Sequence, residues 1–226
     1  MDAGLWRLVL FTVEVAAAST ALVLVPGVLV AWALSRRGWP GRSLVEAAVT
    51  VPLVVPPTAV GLALLLLLGP AGPVGGWLRR TLGWEIAFTP AAVVLACAVV
   101  SFPLLVRQAR AALEEVDPGL LGVARTLGRG PFATFVEVHA PLAWRGILAG
   151  AVLAFARALG EFGATVLVAG NIPGRTQTLA TAIFQRVQVG REREALLLAG
   201  VSAAIAFATL LAVERLTRGR ERELAR

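Results

Sequence analysis

The chain alternates long uncharged apolar runs with shorter segments that carry most of its polar residues. An α-helix rises about 1.5 Å per residue, so about 20 residues cross the roughly 30 Å hydrocarbon core of a membrane. Five runs meet this length, with the third near the lower limit. The pattern predicts an all-α integral membrane protein with about five transmembrane helices, six being the alternative, in a single domain over 1–226. The predicted spans are 8–34, 44–68, 90–106, 142–168 and 195–213.

Composition supports this interpretation. Hydrophobic residues make up 58% of the chain and charged residues 15%, with a mean hydropathy of +0.79. A soluble globular domain carries about 25% charged residues. The shortfall, arranged in long runs, excludes an ordinary water-soluble domain.

The basic residues are all arginine and lie mainly between the apolar runs. Five spans place the segments 35–43, 107–145 and the tail after 213 on the same side of the membrane, and these segments contain thirteen arginines. The segments on the opposite side contain seven. Cytoplasmic segments are enriched in arginine and lysine, so the tail is predicted to be cytoplasmic and the N-terminus outside. Nucleic-acid binding would need arginines clustered on one face of a soluble domain, and none is expected.

The residues that most enzyme sites require are scarce. The chain has no lysine, which a phosphate-binding P-loop needs. A single cysteine, Cys97, and a single histidine, His139, exclude disulfide frameworks and Cys/His metal clusters. Cys97 lies in an apolar run and is expected to be a small buried hydrophobe. No catalytic residue, metal site or cofactor is therefore expected on this chain.

The segment 117–141 differs from its surroundings because it carries the start and stop signals of two short helices. Asp117 is a suitable N-cap and Pro118 a suitable first helical residue. Gly128 supplies a C-terminal stop. The segment is predicted to form a cytoplasmic helix pair within the single transmembrane domain.

The second helix of the pair is predicted to end at Pro141, before the fourth span. Helical spacing places Phe132, Phe135 and Val136 on one face. An exposed apolar stripe on a short cytoplasmic helix should contact a partner. The alternative is that the stripe rests on the membrane surface or on the chain's own helix ends.

At these residues the sequence resembles the permease subunits of bacterial ABC importers. Their cytoplasmic signature reads E-A-A, three residues, glycine, then about nine residues to I-x-L-P. Here Ala124 stands at the third position, Gly128 is the central glycine and Pro141 closes the motif. Gly122 replaces the leading glutamate, and Ala140 replaces the leucine before the proline.

Three further stretches are similar to the molybdate-type permeases in particular, with sulfate and tungstate permeases as close relatives. They are VPLVVPPTAVGLALLLLLG (51–69), VVSFPLLVRQARAALEEVDPGLLGVARTLG (99–128) and FARALGEFGATVLVAGNIPGRTQTLATAIF (155–184). The run GEFGAT…GNIPGRTQT is the most specific of them. Composition says nothing about the cargo.

The resemblance implies the type I importer permease fold and a homodimer around one pathway. It also implies a separate ATP-binding cassette ATPase on the cytoplasmic face, which binds ATP and Mg²⁺, and an external substrate-binding protein. The helix pair would couple ATPase motion to the membrane helices. The docking residues so implied are Gly122, Ala124, Arg125, Gly128, Phe132, Phe135 and Pro141.

Four residues inside the predicted spans are candidates for the pathway or gate. Pro56 and Pro57 disrupt helical hydrogen bonding, which a membrane tolerates where neighbours or a water-lined cavity satisfy the carbonyls. Arg157 and Glu161 stand four residues apart and so share a helix face. Charges at membrane depth usually point into the bundle or an aqueous path. A structural kink and an internal salt bridge are the alternatives.

The segment 171–194 is predicted to lie outside the cell. Asn171 begins an Asn-Ile-Pro-Gly turn, and apolar residues from Leu179 onward recur at helical spacing. Arg175 and Arg186 could attract an oxyanion or dock the binding protein. A merely solvated face explains them equally well.

The function expected from the resemblance is import of molybdate across the cell (inner) membrane of a bacterium or archaeon. Sulfate and tungstate have the same charge and shape and stay as alternatives. A self-contained secondary transporter is the competing class, and such proteins typically have inverted repeats. No internal repeat is visible here.

Overall fold

The computed structural model describes residues 3–36 and 38–218, and these are mostly helical with no strand among them. Arg37 and the arginines beyond residue 218, which the predicted orientation counts, lie outside the described residues. The helices are α1 (Ala3–Ser35), α2 (Arg42–Val54), α3 (Pro57–Leu68), α4 (Pro73–Leu82), α5 (Pro90–Glu114), α6 (Pro118–Thr126), α7 (Pro131–Thr134), a π-helical segment (Phe135–His139), α8 (Ala140–Leu159), α9 (Gly163–Val168), α10 (Leu179–Gln188) and α11 (Glu192–Arg218).

The centre of the bundle is α5, which packs between α1 and α8. Small residues make this close packing possible: Ala92, Ala96 and Cys97 on α5 are buried in one cluster with Ala16 of α1 and Ala158 of α8. Close contact of small side chains is typical of helices associating in a membrane, where no hydrophobic effect drives them together. Cys97 is buried as predicted.

Within residues 3–36 and 38–218, five helical segments are long and apolar enough to cross a membrane, which confirms the predicted class. They leave many large apolar side chains exposed on the outside of the bundle, including Leu66, Leu196, Leu197 and Phe207. Lipid tails suit such a surface and water does not. The segments are Gly4–Ser35, Pro57–Leu82, Pro90–Glu114, Pro131–Leu159 and Glu192–Leu211.

The second span, 44–68, is wrong as a single helix. The helix α2 stops at Val54, and Val55 and Pro56 are extended, with ψ angles of 139° and 133°. A residue before proline is pushed out of the α region, and here two prolines follow in succession. The new helix starts at Pro57, because proline suits the first helical position.

The limits of the third and fourth spans also differ from the prediction. The third helix continues past residue 106 to Glu114, since its polar residues end the apolar run without ending the helix. The fourth begins at Pro131 and ends at Leu159, and α9 is a separate short helix. The predicted span 142–168 therefore combined parts of two helices.

An ion-pair cluster holds α2 against α5, although no residue of α2 is itself buried. The guanidinium group of Arg110 lies 2.7 Å from a Glu46 oxygen and 2.8 Å from a Glu114 oxygen. Arg42 lies 3.3 Å from the same Glu114 oxygen. The cluster joins α2 to the end of α5, a few residues before the helix pair begins.

Candidate functional site

The first helix of the predicted pair is present as α6. The Asp117 side chain accepts a hydrogen bond from the Gly119 backbone N–H at 2.8 Å, and Pro118 is the first helical residue. Gly128 has a φ angle of +80°, a conformation that glycine adopts without strain. The Arg129 N–H donates to the Ala124 carbonyl at 3.1 Å and completes the C-terminal cap.

The second helix does not end at Pro141, which corrects the prediction. The chain continues without a break from Pro131 to Leu159. Proline has no N–H to donate and crowds the carbonyl four residues earlier, at Glu137. The backbone accommodates this by widening to a π-helix over Phe135–His139, where the Ala140 N–H donates to the Phe135 carbonyl.

The predicted stripe of Phe132, Phe135 and Val136 does not form one exposed face. Phe135 is only 6% exposed and stacks on Trp32 of α1, with ring centroids 4.5 Å apart. His139 is buried beside it, and its Nε2 donates to the Leu113 carbonyl of α5 at 2.8 Å. The apolar side chain of Phe135 and the hydrogen bond of His139 therefore attach the π segment to α1 and α5.

Both helices of the pair nevertheless present exposed apolar surface. Phe132 is 63% exposed, and the other exposed large apolar side chains on the pair are aliphatic. The stripe predicted from the sequence did not include the exposed apolar residues at α6, although Leu120, Val123 and Leu127 recur at spacings of three and four residues. We call this surface the apolar face of the helix pair; it consists of Leu120, Val123, Leu127, Phe132 and Val136.

The signature residues of the pair have different environments. Ala124 is buried and Arg125 is exposed. Gly122 is half-buried, and among the described residues no heavy atom lies within 4 Å of where a Cβ would stand. A side chain at Gly122 could therefore begin without a clash against other elements of the described chain. Arg129 and Glu137 bridge the pair with an N–O distance of 3.2 Å.

The break between α2 and α3 lies next to a second break, at 160–162 between α8 and α9, because α3 packs directly on α9. A Cβ on Gly61 would come within 2.6 Å of the Ala164 carbonyl oxygen. A Cβ on Gly163 would lie 2.9 Å from the Pro57 Cβ. The backbones are in contact, so the sequence candidates Pro56 and Pro57 are placed beside the start of α9.

The second break, at 160–162, carries the buried carboxylate Glu161. Its Oε2 lies 2.8 Å from an Arg157 nitrogen. Arg157 and Glu161, which the sequence places on one helix face, therefore form an ion pair. Its Oε1 accepts a hydrogen bond from the Ala164 N–H at 2.7 Å. The GEFGAT run is therefore the junction between α8 and α9, and sequence periodicity alone gave no sign of this break.

The segment after α9 forms a turn followed by α10, as predicted. Asn171 accepts a hydrogen bond from the Gln177 amide at 3.0 Å. Arg186 forms an ion pair with Glu194 at 2.9 Å. Arg175 is exposed, and no carboxylate in 3–36 or 38–218 forms an ion pair with it. Over the same residues, no group of histidine, cysteine and acidic side chains could hold a metal ion.

Sequence comparisons relate the chain to membrane components of importers. The profile of one family, described as binding-protein-dependent transport system inner membrane component, matches residues 24–214. The chain is 43% identical over 219 residues to the molybdenum transport system permease protein ModB of Escherichia coli (strain K12), covering 96% of each. It is 38% identical over 187 residues to a probable sulfate transport system permease protein, cysT of Nephroselmis olivacea, covering 83% of this chain and 66% of the relative.

A solved structure confirms the fold. The fold resembles a chain of the MetNI methionine ABC transporter in an inward-facing conformation, with a TM-score of 0.74. The match covers 96% of this chain and 94% of the other at 19% identity. The expected ABC importer permease fold is therefore confirmed for this chain.

Proposed function

Because this chain belongs to the family of binding-protein-dependent transport system inner membrane components, we propose that it is the transmembrane subunit of an ATP-driven importer of molybdate. The observation that carries the cargo is the 43% identity, over nearly the full length, to a protein named as a molybdenum permease. Sulfate and tungstate are the alternatives, and the relative named as a sulfate permease supports the first of them.

The chain is a permease subunit and not the catalytic component of its transporter. We propose a homodimer in the cell membrane, with the C-terminus in the cytoplasm and the N-terminus outside. A separate ATP-binding cassette ATPase would bind ATP and Mg²⁺, and an external binding protein would deliver the anion. The chain itself would hold no cofactor. The distribution of arginine supports this orientation.

The apolar face of the helix pair is the proposed docking surface for the ATPase. Its exposed side chains include Leu127 and Phe132, which water does not favour at a cytoplasmic surface. The signature residues Gly122, Arg125 and Gly128 lie on or beside the same helices. Phe135 is excluded from direct docking because it is buried against Trp32. It would support the surface from behind.

A single helical segment connects this surface with the second break. We call Pro131–Leu159 the rod: its 29 residues span roughly 43 Å at the usual helical rise. Phe132 lies near one end, and the break that contains Glu161 follows the other. Closure of an ATPase dimer is a rigid-body motion, and a docked rod would transmit it as a hinge or shear displacement.

The adjoining breaks are the proposed gate region. Pro56 and Pro57 lie at one break, and Arg157 and Glu161 at the other. An anion crossing a low-dielectric region needs hydrogen-bond donors or positive potential along its route. Arg157 is 28% exposed at its side chain, so part of this side chain is open beside the break. Asn171, Arg175 and Arg186 would line the external side.

Uptake by the complete transporter tests the cargo. The permease, its ATPase and its binding protein are expressed in a strain that lacks its own molybdate importer. We expect labelled molybdate to accumulate, and we expect no uptake when the ATPase is omitted. Accumulation of labelled sulfate without competition by equimolar molybdate would refute the cargo and leave the permease assignment intact. Molybdate uptake without the ATPase would favour a self-contained secondary transporter.

A further inference from the structure

Glu161 is almost completely shielded from solvent, and both of its carboxylate oxygens are engaged. The side chain is 1% exposed. Oε1 accepts from the Ala164 N–H in the first turn of α9 at 2.7 Å, and Oε2 contacts Arg157 in the last turn of α8 at 2.8 Å. One side chain thus bridges the two helices on either side of the break.

Capping α9 does not by itself require a charge. A serine, threonine or asparagine can satisfy a free N–H at the start of a helix. A buried ion pair is weak support for stability, because removing both charges from water offsets most of their attraction. What Glu161 adds beyond a neutral cap is a direct link to Arg157, and so a fixed relation between α8 and α9.

The helix α9 in turn packs directly on α3. Glycine at 61 and at 163 lets the two backbones touch, since a Cβ at either position would overlap the other helix. Packed backbones without intervening side chains have little room to slide past each other. We call these two helices the α3–α9 pair, and treat it as one mechanical unit.

We propose that Glu161 is a positioning residue for transport: its bridge from Arg157 to α9 makes the α3–α9 pair follow the rod. This inference rests on the proposed function, because it takes the rod to be driven by the docked ATPase. Without the bridge, the rod would still move with the ATPase, and the α3–α9 pair would follow it less closely, because residues 160–162 and packing alone would join the two. ATP hydrolysis would then continue with little transport.

The test compares transport with ATP hydrolysis in the complete complex, reconstituted in liposomes. Glu161→Ala removes both contacts. Glu161→Gln keeps the volume and an oxygen for the Ala164 N–H, but its amide nitrogen cannot accept from Arg157. We expect anion transported per ATP to fall about tenfold in Glu161→Ala and severalfold in Glu161→Gln, with ATP hydrolysis within about twofold of wild type.

The matched control is Glu85→Gln, which removes the charge of an exposed carboxylate 3.9 Å from Arg79 and far along the chain from either break. We expect its transport per ATP to equal that of wild type. A purely structural role for Glu161 predicts that complex yield, hydrolysis and transport fall together with an unchanged ratio. That result, or a wild-type ratio in both Glu161 variants, would overturn the proposal.

The ratio is measured with whichever of molybdate, tungstate and sulfate the wild-type complex accumulates. A wrong cargo would therefore leave this test intact. If Glu161→Ala does not assemble, Glu161→Gln decides the matter: a reduced ratio supports the link, and an unchanged ratio refutes it.

Discussion

Two phenylalanines three residues apart on the rod should respond to mutation in opposite ways. Phe135 is 6% exposed and stacks on Trp32, while Phe132 is 63% exposed on the apolar face of the helix pair. Replacing each with alanine separates support of the helix pair from docking of the ATPase. The sequence alone treats the two residues as equivalent members of one stripe.

The magnitudes follow from burial. Truncating a buried phenylalanine to alanine costs about 3–5 kcal/mol, because contacts are lost and a cavity remains. For a chain of this size that lowers the melting temperature by about 6–20 °C. Phe132 buries only about a third of its surface, so its loss should cost about 1 kcal/mol or less. Its effect should appear in partner binding, where exposed aromatic residues often dominate.

Thermal unfolding in detergent and co-purification with the ATPase measure the two effects. We expect Phe132→Ala to unfold within a few degrees of wild type and to retain about tenfold less ATPase. We expect Phe135→Ala to unfold markedly earlier. Phe207→Ala is the matched control, since Phe207 is 64% exposed on α11, and it should change neither quantity. Undiminished ATPase retention by Phe132→Ala would refute docking at this face, and unchanged melting of Phe135→Ala would refute the stacking argument.

Two further predictions concern glycines. Gly61→Ala should lower thermal stability by about 1–3 kcal/mol and reduce transport, because its Cβ would come within 2.6 Å of the Ala164 carbonyl oxygen. Gly200→Ala is the control: its Cβ would meet no other part of the described chain within 4 Å, so it should keep stability or raise it by up to about 1 kcal/mol. Equal melting of the two variants would contradict the packing. Gly122→Glu should raise stability by up to about 1 kcal/mol and leave ATPase co-purification unchanged, whereas lost co-purification would show that the partner needs a glycine there.

The class of fold was predictable because a membrane imposes one strong constraint on sequence. A span must be apolar over its whole length and satisfy its own backbone hydrogen bonds, so long uncharged runs identify helices. The break after α2 was readable too, since Val55 precedes the Pro56–Pro57 pair. The predicted span 44–68 ignored this break, because hydropathy stays high across the two prolines and a proline inside an apolar run was interpreted as a local kink.

Other features depend on residues distant in sequence. A proline such as Pro141 usually ends a helix, but here a π-helical segment accommodates it. That segment is held in place by the stacking of Phe135 on Trp32 and by the hydrogen bond from His139 to the Leu113 carbonyl. Periodicity placed Phe132 and Phe135 on one stripe, but it could not reveal that Trp32 of α1 stacks on Phe135 and leaves most of Phe132 exposed. The break at Glu161 lacks proline, and its bend depends on a cap and an ion pair that appear only in three dimensions.

Continuity of the rod changes where movement must occur. A helix ending at Pro141 would have placed a joint between the proposed docking surface and the membrane, where motion of a docked ATPase could be absorbed. Instead, contacts of Phe135 with Trp32 and of His139 with Leu113 bind the Phe132 end of the rod to α1 and α5. We therefore expect these helices to tilt together with the rod. The nearest interruption beyond them is the junction at Glu161. We infer that displacement at the apolar face reaches this junction with little loss, which makes the bridge there the step that decides whether the α3–α9 pair follows.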